Sequence, residues 1–363
     1  MYIIYLILLS LIIFQIIMLI AAAWQGIHKY FLLSELDLLD RYGGQGSWVV
    51  ITGASSGQGY EMALAFAERG FNLLMIGSKR TDATQTTIKE KYPLVQTKVI
   101  HKDFRQAFND DFFTEIETSF AELGDDLAVL VNNVGHRVGW NPYHEMPSAY
   151  IRDVIATGTI VQSRLTHMVI PVFLRRAIAS QKSALINITA QCMHPNFLFG
   201  LTMSNEISVP YLSVYEAANA FGFYQGNSIY KEYQGQFDIL NITPGAVVTP
   251  NTTCLTNTFF NVSSRAFVKQ IMKMIGNVQG HTCAYWGHAL SNYLINLAPN
   301  MKDGMLKKVG ETISADFMST ADGMSTAKAS KDKYGLPNTE DVSKTNKIAL
   351  ANVLAEEPSV PLK

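Results

Sequence analysis

The chain has 363 residues, 48% of them hydrophobic, and a formal net charge of -1. That is enough apolar material for one large core plus an extension, and the balanced charge gives no sign of a nucleic-acid or acidic partner. The three cysteines, Cys192, Cys254 and Cys283, are far apart; they form neither a disulfide framework nor a metal-ligand pattern, which fits a reducing compartment.

The first element differs in kind from the rest. Met1 to Gly26 contains no charged residue, and Tyr2 to Trp24 is almost wholly apolar. A helix of that length spans the roughly 30 Å hydrocarbon core of a bilayer. A signal peptide has a basic start and a shorter apolar run. Residues 1–27 therefore read as a transmembrane anchor touching lipid through residues 2–24, with cleavage after Ala21-Ala22-Ala23 as the alternative. The charges beyond it (Lys29, Glu35, Asp37, Asp40, Arg41) are mixed and leave its orientation open. Residues 28–47 read as a linker ending in a loose Gly43-Gly44-Gln45-Gly46 run.

From Trp48 the pattern alternates. Strands are expected at Trp48–Thr52, Asn72–Ile76, Thr97–His101, Leu127–Asn132, Ala184–Thr189 and Phe237–Ile242. Helices are expected between them, at Tyr60–Arg69, Asp82–Lys91, Phe108–Leu123, Ala149–Ser180 and Tyr211–Tyr233. A helix at Ser264–Ile275, a short strand near Thr282–Trp286 and a helix near His288–Leu297 follow. This order predicts an α/β domain over residues 48–318: a doubly wound parallel sheet with helices on both faces. Asn-x-Ser/Thr triplets begin at Asn187, Asn241, Asn251 and Asn261; the first two fall in apolar runs that read as core strands, a poor setting for glycosylation. Residues 319–363 are rich in Ser, Thr, Lys, Asp and Ala and read as a polar tail without a core of its own.

Thr52-Gly53-Ala54-Ser55-Ser56-Gly57-Gln58-Gly59 joins the first strand to the first helix of the domain. Glycines there let the backbone turn tightly and approach a pyrophosphate, and the helix start offers free N–H groups. The spacing resembles that of the short-chain dehydrogenase/reductase family. The likeness extends to Asn132-Asn133-Val134-Gly135 after the fourth strand and Pro244-Gly245-Ala246-Val247-Val248-Thr249 after the sixth. Within the family the chain is most similar to membrane-anchored 17β-hydroxysteroid dehydrogenases and very-long-chain 3-oxoacyl-CoA reductases. That subgroup likeness rests on the apolar start, the lead-in from Tyr42-Gly43 to Trp48, Leu130 to Gly135, Phe267-Val268-Lys269 and Tyr285-Trp286-Gly287-His288-Ala289-Leu290.

The resemblance implies cofactor contacts at Gly53, Ser55, Ser56, Gly57 and Gly59, at Asp103 near the adenine, at Asn132 and Gly135, and at Pro244, Gly245 and Thr249 beside the nicotinamide. After the second strand an acid selects NAD; here Gly77-Ser78-Lys79-Arg80 has none. Ser78, Lys79 and Arg80 suit the 2′-phosphate of NADP, although Lys79 and Arg80 also fit an ordinary solvated pair. No histidine spacing suggests a metal.

Catalysis in the family uses a Tyr, a Lys four residues later that lowers its pKa, a Ser that polarises the carbonyl and an Asn that holds a relay water. Tyr215 matches the Tyr, and a packed core tyrosine is the competing reading. The other positions hold Asn219 for Lys, Ala190 for Ser and Gly158 for Asn. Thr189 has a hydroxyl but is expected to point to the opposite side of the strand. An insertion at about 193–210 widens the spacing between Ala190 and Tyr215. The resemblance includes hydroxysteroid-dehydrogenase-like proteins regarded as inactive and mitochondrial. The expectation is a catalytically degenerate, membrane-anchored accessory or scaffold subunit that retains NADP(H), with protein partners met through the insertion and the tail. An active NADPH-dependent reductase of 3-oxoacyl-CoA or steroids in the endoplasmic reticulum membrane is the alternative; the mitochondrial inner membrane is the other candidate site.

Overall fold

The computed structural model describes residues 2–136, 138–190, 193–198, 201–206, 208–249, 252, 258–297 and 299–318. The tail at 319–363, Cys192, Cys254 and Asn251 lie outside them.

Helix α1 (Tyr2–Ile27) runs into a π-turn at His28–Leu32 and has no buried residue. The helix through Leu32 is long and apolar enough to cross a membrane. One turn, α2 (Leu38–Arg41), leads to β1 (Trp48–Thr52). Then come α3 (Gly57–Glu68), β2 (Asn72–Gly77), α4 (Thr81–Lys91), β3 (Thr97–His101), α5 (Asp111–Leu123) and β4 (Leu127–Asn132). Helix α6 (Ser148–Ile155), a π-turn at Ala156–Ile160 and α7 (Val161–Ile178) form one long run. After β5 (Ala184–Ile188) the insertion forms an antiparallel hairpin, β6 (Met193–Leu198) with β7 (Leu201–Glu206). Helix α8 (Ser213–Glu232), β8 (Asp238–Ile242), β9 (Val247–Val248), β10 (Val262–Ser263), α9 (Ser264–Met274), β11 (Gly280–Thr282), α10 (Trp286–Leu297) and α11 (Pro299–Met318) complete the order.

The main sheet has the order β11-β8-β5-β4-β1-β2-β3, with every pairing parallel. Parallel strands are covered on both faces, so their sequences read as unbroken apolar runs. Alternate residues serve opposite cores. Val49, Ile51, Leu73 and Met75 face a layer with α3 and α9, whereas Val50, Leu74, Ile76 and Leu130 face one with α5 and α7. Each such fully buried side chain contributes about 1.5–3 kcal/mol.

Two expectations need correction. Residues 28–47 are not a loose linker. Leu38 and Tyr42 are buried in the core. The Tyr42 hydroxyl donates to Asp238 at 2.7 Å, and Arg41 Nε donates to the same carboxylate at 2.8 Å. Arg176 Nη2 donates to the Tyr42 carbonyl at 2.9 Å. The glycine run is a tight turn, with Gly43, Gly44 and Gly46 all at positive φ. The last strand is the other correction: β11 ends at Thr282. Ala284 turns with φ 56° and Trp286 already begins α10.

Candidate active site

Reversal of strand order between β1 and β4 opens a crevice at the carboxyl ends of the strands, where doubly wound sheets bind ligands. A cleft of about 640 Å³ occupies it. Its floor starts at the glycine loop. Gly53 (φ 72°) and Gly57 (φ 59°) take backbone angles that side chains resist. Ser56 caps α3 without a side-chain bond, leaving the first-turn N–H groups to face the cleft. Gly59 does not line the cleft but lies beneath it. A Cβ there would collide with the Gly53 carbonyl and stand 2.5 Å from Asn133 Nδ2.

One expected contact is misplaced by a single residue. Asn132 is buried in the sheet, where its Nδ2 donates to Asn187 Oδ1 at 2.9 Å and Thr166 Oγ1 at 3.0 Å. The neighbour, Asn133, reaches the cleft and ties β4 to β1 by donating to the Thr52 carbonyl at 2.9 Å. Strand alternation sends adjacent asparagines to different places. Asn132, Asn187 and Asn241 stand in register on β4, β5 and β8, and Asn187 Nδ2 donates on to Asn241 Oδ1 at 2.9 Å. This polar ladder lets α8 come close at Gly226, where a side chain would strike Asn241.

The cleft brings together Gly53, Ser55, Ser56, Gly57, Ser78, Lys79, Arg80, Asp103, Gly135, Pro244, Gly245 and Thr249 from the expected cofactor set. At the β2–β3 end the lining is cationic, with Lys79, Arg80, Lys102 and Arg105. Lys102 pairs with Glu115 at 2.9 Å, and Arg105 grips Asp103 through both carboxylate oxygens at 2.6–3.1 Å. The Arg105 hydrogen bonds hold the Asp103 carboxyl below its usual range. Lys79 and Arg80 have no ion-pair partner among the described residues and remain open to a phosphate. The glycine loop, the exposed helix start and the acid-free end of β2 all fit a dinucleotide with an extra phosphate on its adenosine. Lys102 and Arg105 were missed in the sequence because they follow β3 without a motif.

At the β5–β8 end all four positions of the catalytic set line the same cleft: Gly158, Ala190, Tyr215 and Asn219. Asn219 Nδ2 donates to the Tyr215 carbonyl at 2.9 Å, one turn back along α8. Among the described residues no lysine or arginine lines this half. Gly158 sits in the π-turn between α6 and α7, and a Cβ there would stand 3.1 Å from Ala218 Cβ. Thr189 departs from expectation: β5 ends at Ile188, so alternation lapses and Thr189 lines the cleft beside Ala190. Its hydroxyl donates to the Ile242 carbonyl at 3.2 Å. The wall at Gly245–Ala246 is braced by His288 of α10. Its Nδ1 accepts from Gly245 N–H at 3.1 Å and its Nε2 pairs with the Ala246 carbonyl at 3.1 Å. Burial lowers the His288 pKa, partly opposed by the bonds to the Ala246 and Phe260 carbonyls.

Sheet order, glycine loop and cleft together define a doubly wound, dinucleotide-binding α/β protein. The profile of the short chain dehydrogenase family matches residues 47–258, and the chain belongs to that family. It is 31% identical over 252 residues to a very-long-chain 3-oxoacyl-CoA reductase from Bos taurus, covering 68% of this chain and 73% of that protein. A very-long-chain 3-oxoacyl-CoA reductase from Emericella nidulans is 28% identical over 276 residues, covering 72% of this chain and 73% of the relative. In fold the chain is similar to a 7beta-hydroxysteroid dehydrogenase, with a TM-score of 0.58 and 21% identity over 71% of this chain and 93% of the other. It is also similar to a short-chain dehydrogenase from Sphingobium yanoikuyae in complex with NADPH, with a TM-score of 0.53 and 21% identity over 65% of this chain and 87% of the other.

Proposed function

We propose that this chain is a membrane-anchored, NADP(H)-binding short-chain dehydrogenase in which hydride chemistry is severely impaired, serving as an accessory or scaffold subunit of a membrane assembly. One observation carries the reading: the four catalytic positions converge on one cleft, yet three hold Gly158, Ala190 and Asn219. NADP(H) supplies hydride chemistry when bound. The backbone from Gly53 to Gln58 would hold its pyrophosphate, Lys79 and Arg80 its adenosine phosphate, and Pro244 to Thr249 its nicotinamide half. Tyr215 keeps the phenol that would donate the proton. Asn219 stands where the family has the lysine that lowers the phenol's pKa, and Ala190 brings no hydroxyl to polarise a carbonyl. Loss of tuned proton transfer costs about 10²–10⁴-fold. Loss of the carbonyl donor costs about 10²–10³-fold. The two need not multiply, because such groups act as a unit.

A reductase of 3-oxoacyl-CoA substrates is the second reading, favoured by the names of the relatives and by Tyr215. The endoplasmic reticulum membrane goes with that reading; the mitochondrial inner membrane goes with the first. The hairpin at 193–206 and the tail beyond 318 are the candidate partner contacts.

Purified full-length chain incubated with NADPH and a panel of 3-oxoacyl-CoAs and ketosteroids is expected to consume no NADPH above background. NADPH alone is expected to raise the melting temperature, and Gly57→Trp to abolish that rise. Rapid turnover that disappears in Tyr215→Phe would establish the reductase instead. A lone monomer after gentle detergent extraction from native membranes would remove the subunit role.

A further inference from the structure

An aromatic surface lies where the anchor meets the domain. The Phe31 ring, at the end of the long apolar helix, packs 5.8 Å from the ring of Trp286. Phe259 meets Trp286 edge-on at 4.3 Å and Phe260 at 4.9 Å. These phenylalanines are not core residues: Phe31 is 59% exposed, Phe259 50% and Phe260 42%. Leu290 and Leu294 continue the surface at four-residue steps from Trp286, on one face of α10, and are 38% and 48% exposed.

Charge is missing from the same stretches. No Asp, Glu, Lys or Arg stands between Asp238 and Arg265, or between Lys273 and Lys302. A water-facing surface of this composition is unusual, since contiguous exposed apolar patches mark interaction sites. Bilayer interfaces concentrate aromatic rings such as Trp, and a protein face sunk at the headgroup–acyl boundary presents Trp, Phe and Leu. The anchor supplies the geometry. A helix crossing the hydrocarbon core leaves its end at the bilayer surface, and rings touching that end lie at the same depth. Lys29, the first charged residue of the chain, stands two residues before Phe31 with its ammonium 4.6 Å from the Tyr30 ring centroid. The uncharged run that begins at Met1 therefore ends just before Phe31.

We infer that Phe31, Phe259, Phe260, Trp286, Leu290 and Leu294 form a second membrane contact that seats the domain in the headgroup layer. The inference rests on the anchor reading of the preceding subsection. It has a bearing on the cleft. His288, two residues beyond Trp286, holds the Gly245–Ala246 wall, so the seated surface and the cofactor cleft share one brace.

The test uses the full-length chain in nanodiscs with and without lipids brominated near the headgroup end of the acyl chains, reading tryptophan fluorescence. Trp24 lies in the anchor, 59% exposed, and Trp286 lies in the surface. Native chain, Trp24→Phe, Trp286→Phe and the double variant are compared. Quenching is expected to persist in Trp24→Phe and to lose its larger part in the double variant. If Trp24 is quenched but Trp24→Phe is quenched no more than the double variant, the second contact is wrong while the anchor stands. If neither tryptophan is quenched, both readings fall. Acrylamide names the alternative: Trp286 open to it faces water, whereas Trp286 shielded from both quenchers is covered by another copy of the chain, and either result overturns the membrane contact. Both substitutions keep an aromatic ring at an exposed or half-buried position, so folding is preserved.

Discussion

Lys79 and Arg80 face the cleft without an ion-pair partner among the described residues, which separates them from Arg105 and Lys102 beside them. A free cation gains a charge-assisted hydrogen bond without first breaking one. The double change Lys79→Ala/Arg80→Ala is therefore expected to weaken NADPH binding by roughly tenfold or more, from a loss of about 1.5–3 kcal/mol. NADH binding should be nearly unchanged, and titration calorimetry with both nucleotides checks the difference. At the other end of the cleft, Ala190→Ser with Asn219→Lys returns a carbonyl donor and a cation to positions that already line it. Turnover with NADPH is expected to rise by about 10²-fold or more over the native chain; steady-state assays on the same substrate panel measure it. Gly158→Asn alone adds nothing, because Ala218 Cβ is only 3.1 Å from where its Cβ must go. These positions were readable in the sequence because each sits at a fixed offset from a motif. Asn132 and Thr189 were not: the motif does not say which of two adjacent asparagines faces the cleft, and Thr189 turns on β5 stopping one residue before its expected end.

Among the elements, α8 carries the most constraint. Gly222 and Gly226 bring it against Thr189, Gln162 and Asn241, and its first turn holds the chain that returns from the hairpin, since Glu216 Oε1 accepts from Val209 N–H at 2.8 Å. Removal from water raises the Glu216 pKa to about 7, with the Val209 bond acting in the opposite direction. A folded pKa above the unfolded value of 4.5 means that the folded state holds the proton more tightly. The resulting stability is whole below that unfolded value and is lost as pH rises through the folded one. The melting temperature should thus fall between about pH 5 and pH 8, and fall less in Glu216→Gln, which still accepts from Val209. Thermal unfolding of both proteins across that range decides it. The strands and long helices were legible because two-sided burial and helical spacing leave long patterns. The hairpin was seen only as extra length, and α2 was missed altogether: one helical turn carries no period, and Tyr42 meets Asp238 across 196 residues of chain.

For the whole molecule, that contact between Tyr42 and Asp238 matters most. Arg41, Tyr42 and Gln279 converge on one carboxylate, and Arg176 binds the carbonyls of Tyr42 and Asp125 from the other side. Tyr42→Phe removes one charge-assisted bond from a buried group and is expected to lower stability by about 1.5–3 kcal/mol, read by chemical denaturation in detergent. The same clamp sets a mechanical limit. Only residues 33–37 separate the π-turn at the end of the anchor from α2. Five residues, even at full stretch, span no more than ~18 Å. The domain is moored on a short line made fast to the sheet itself, and a pull along the anchor reaches β8 directly rather than paying out slack. With the apolar helix in a bilayer, as proposed above, whatever enters the cleft meets it at a nearly constant height above the lipid.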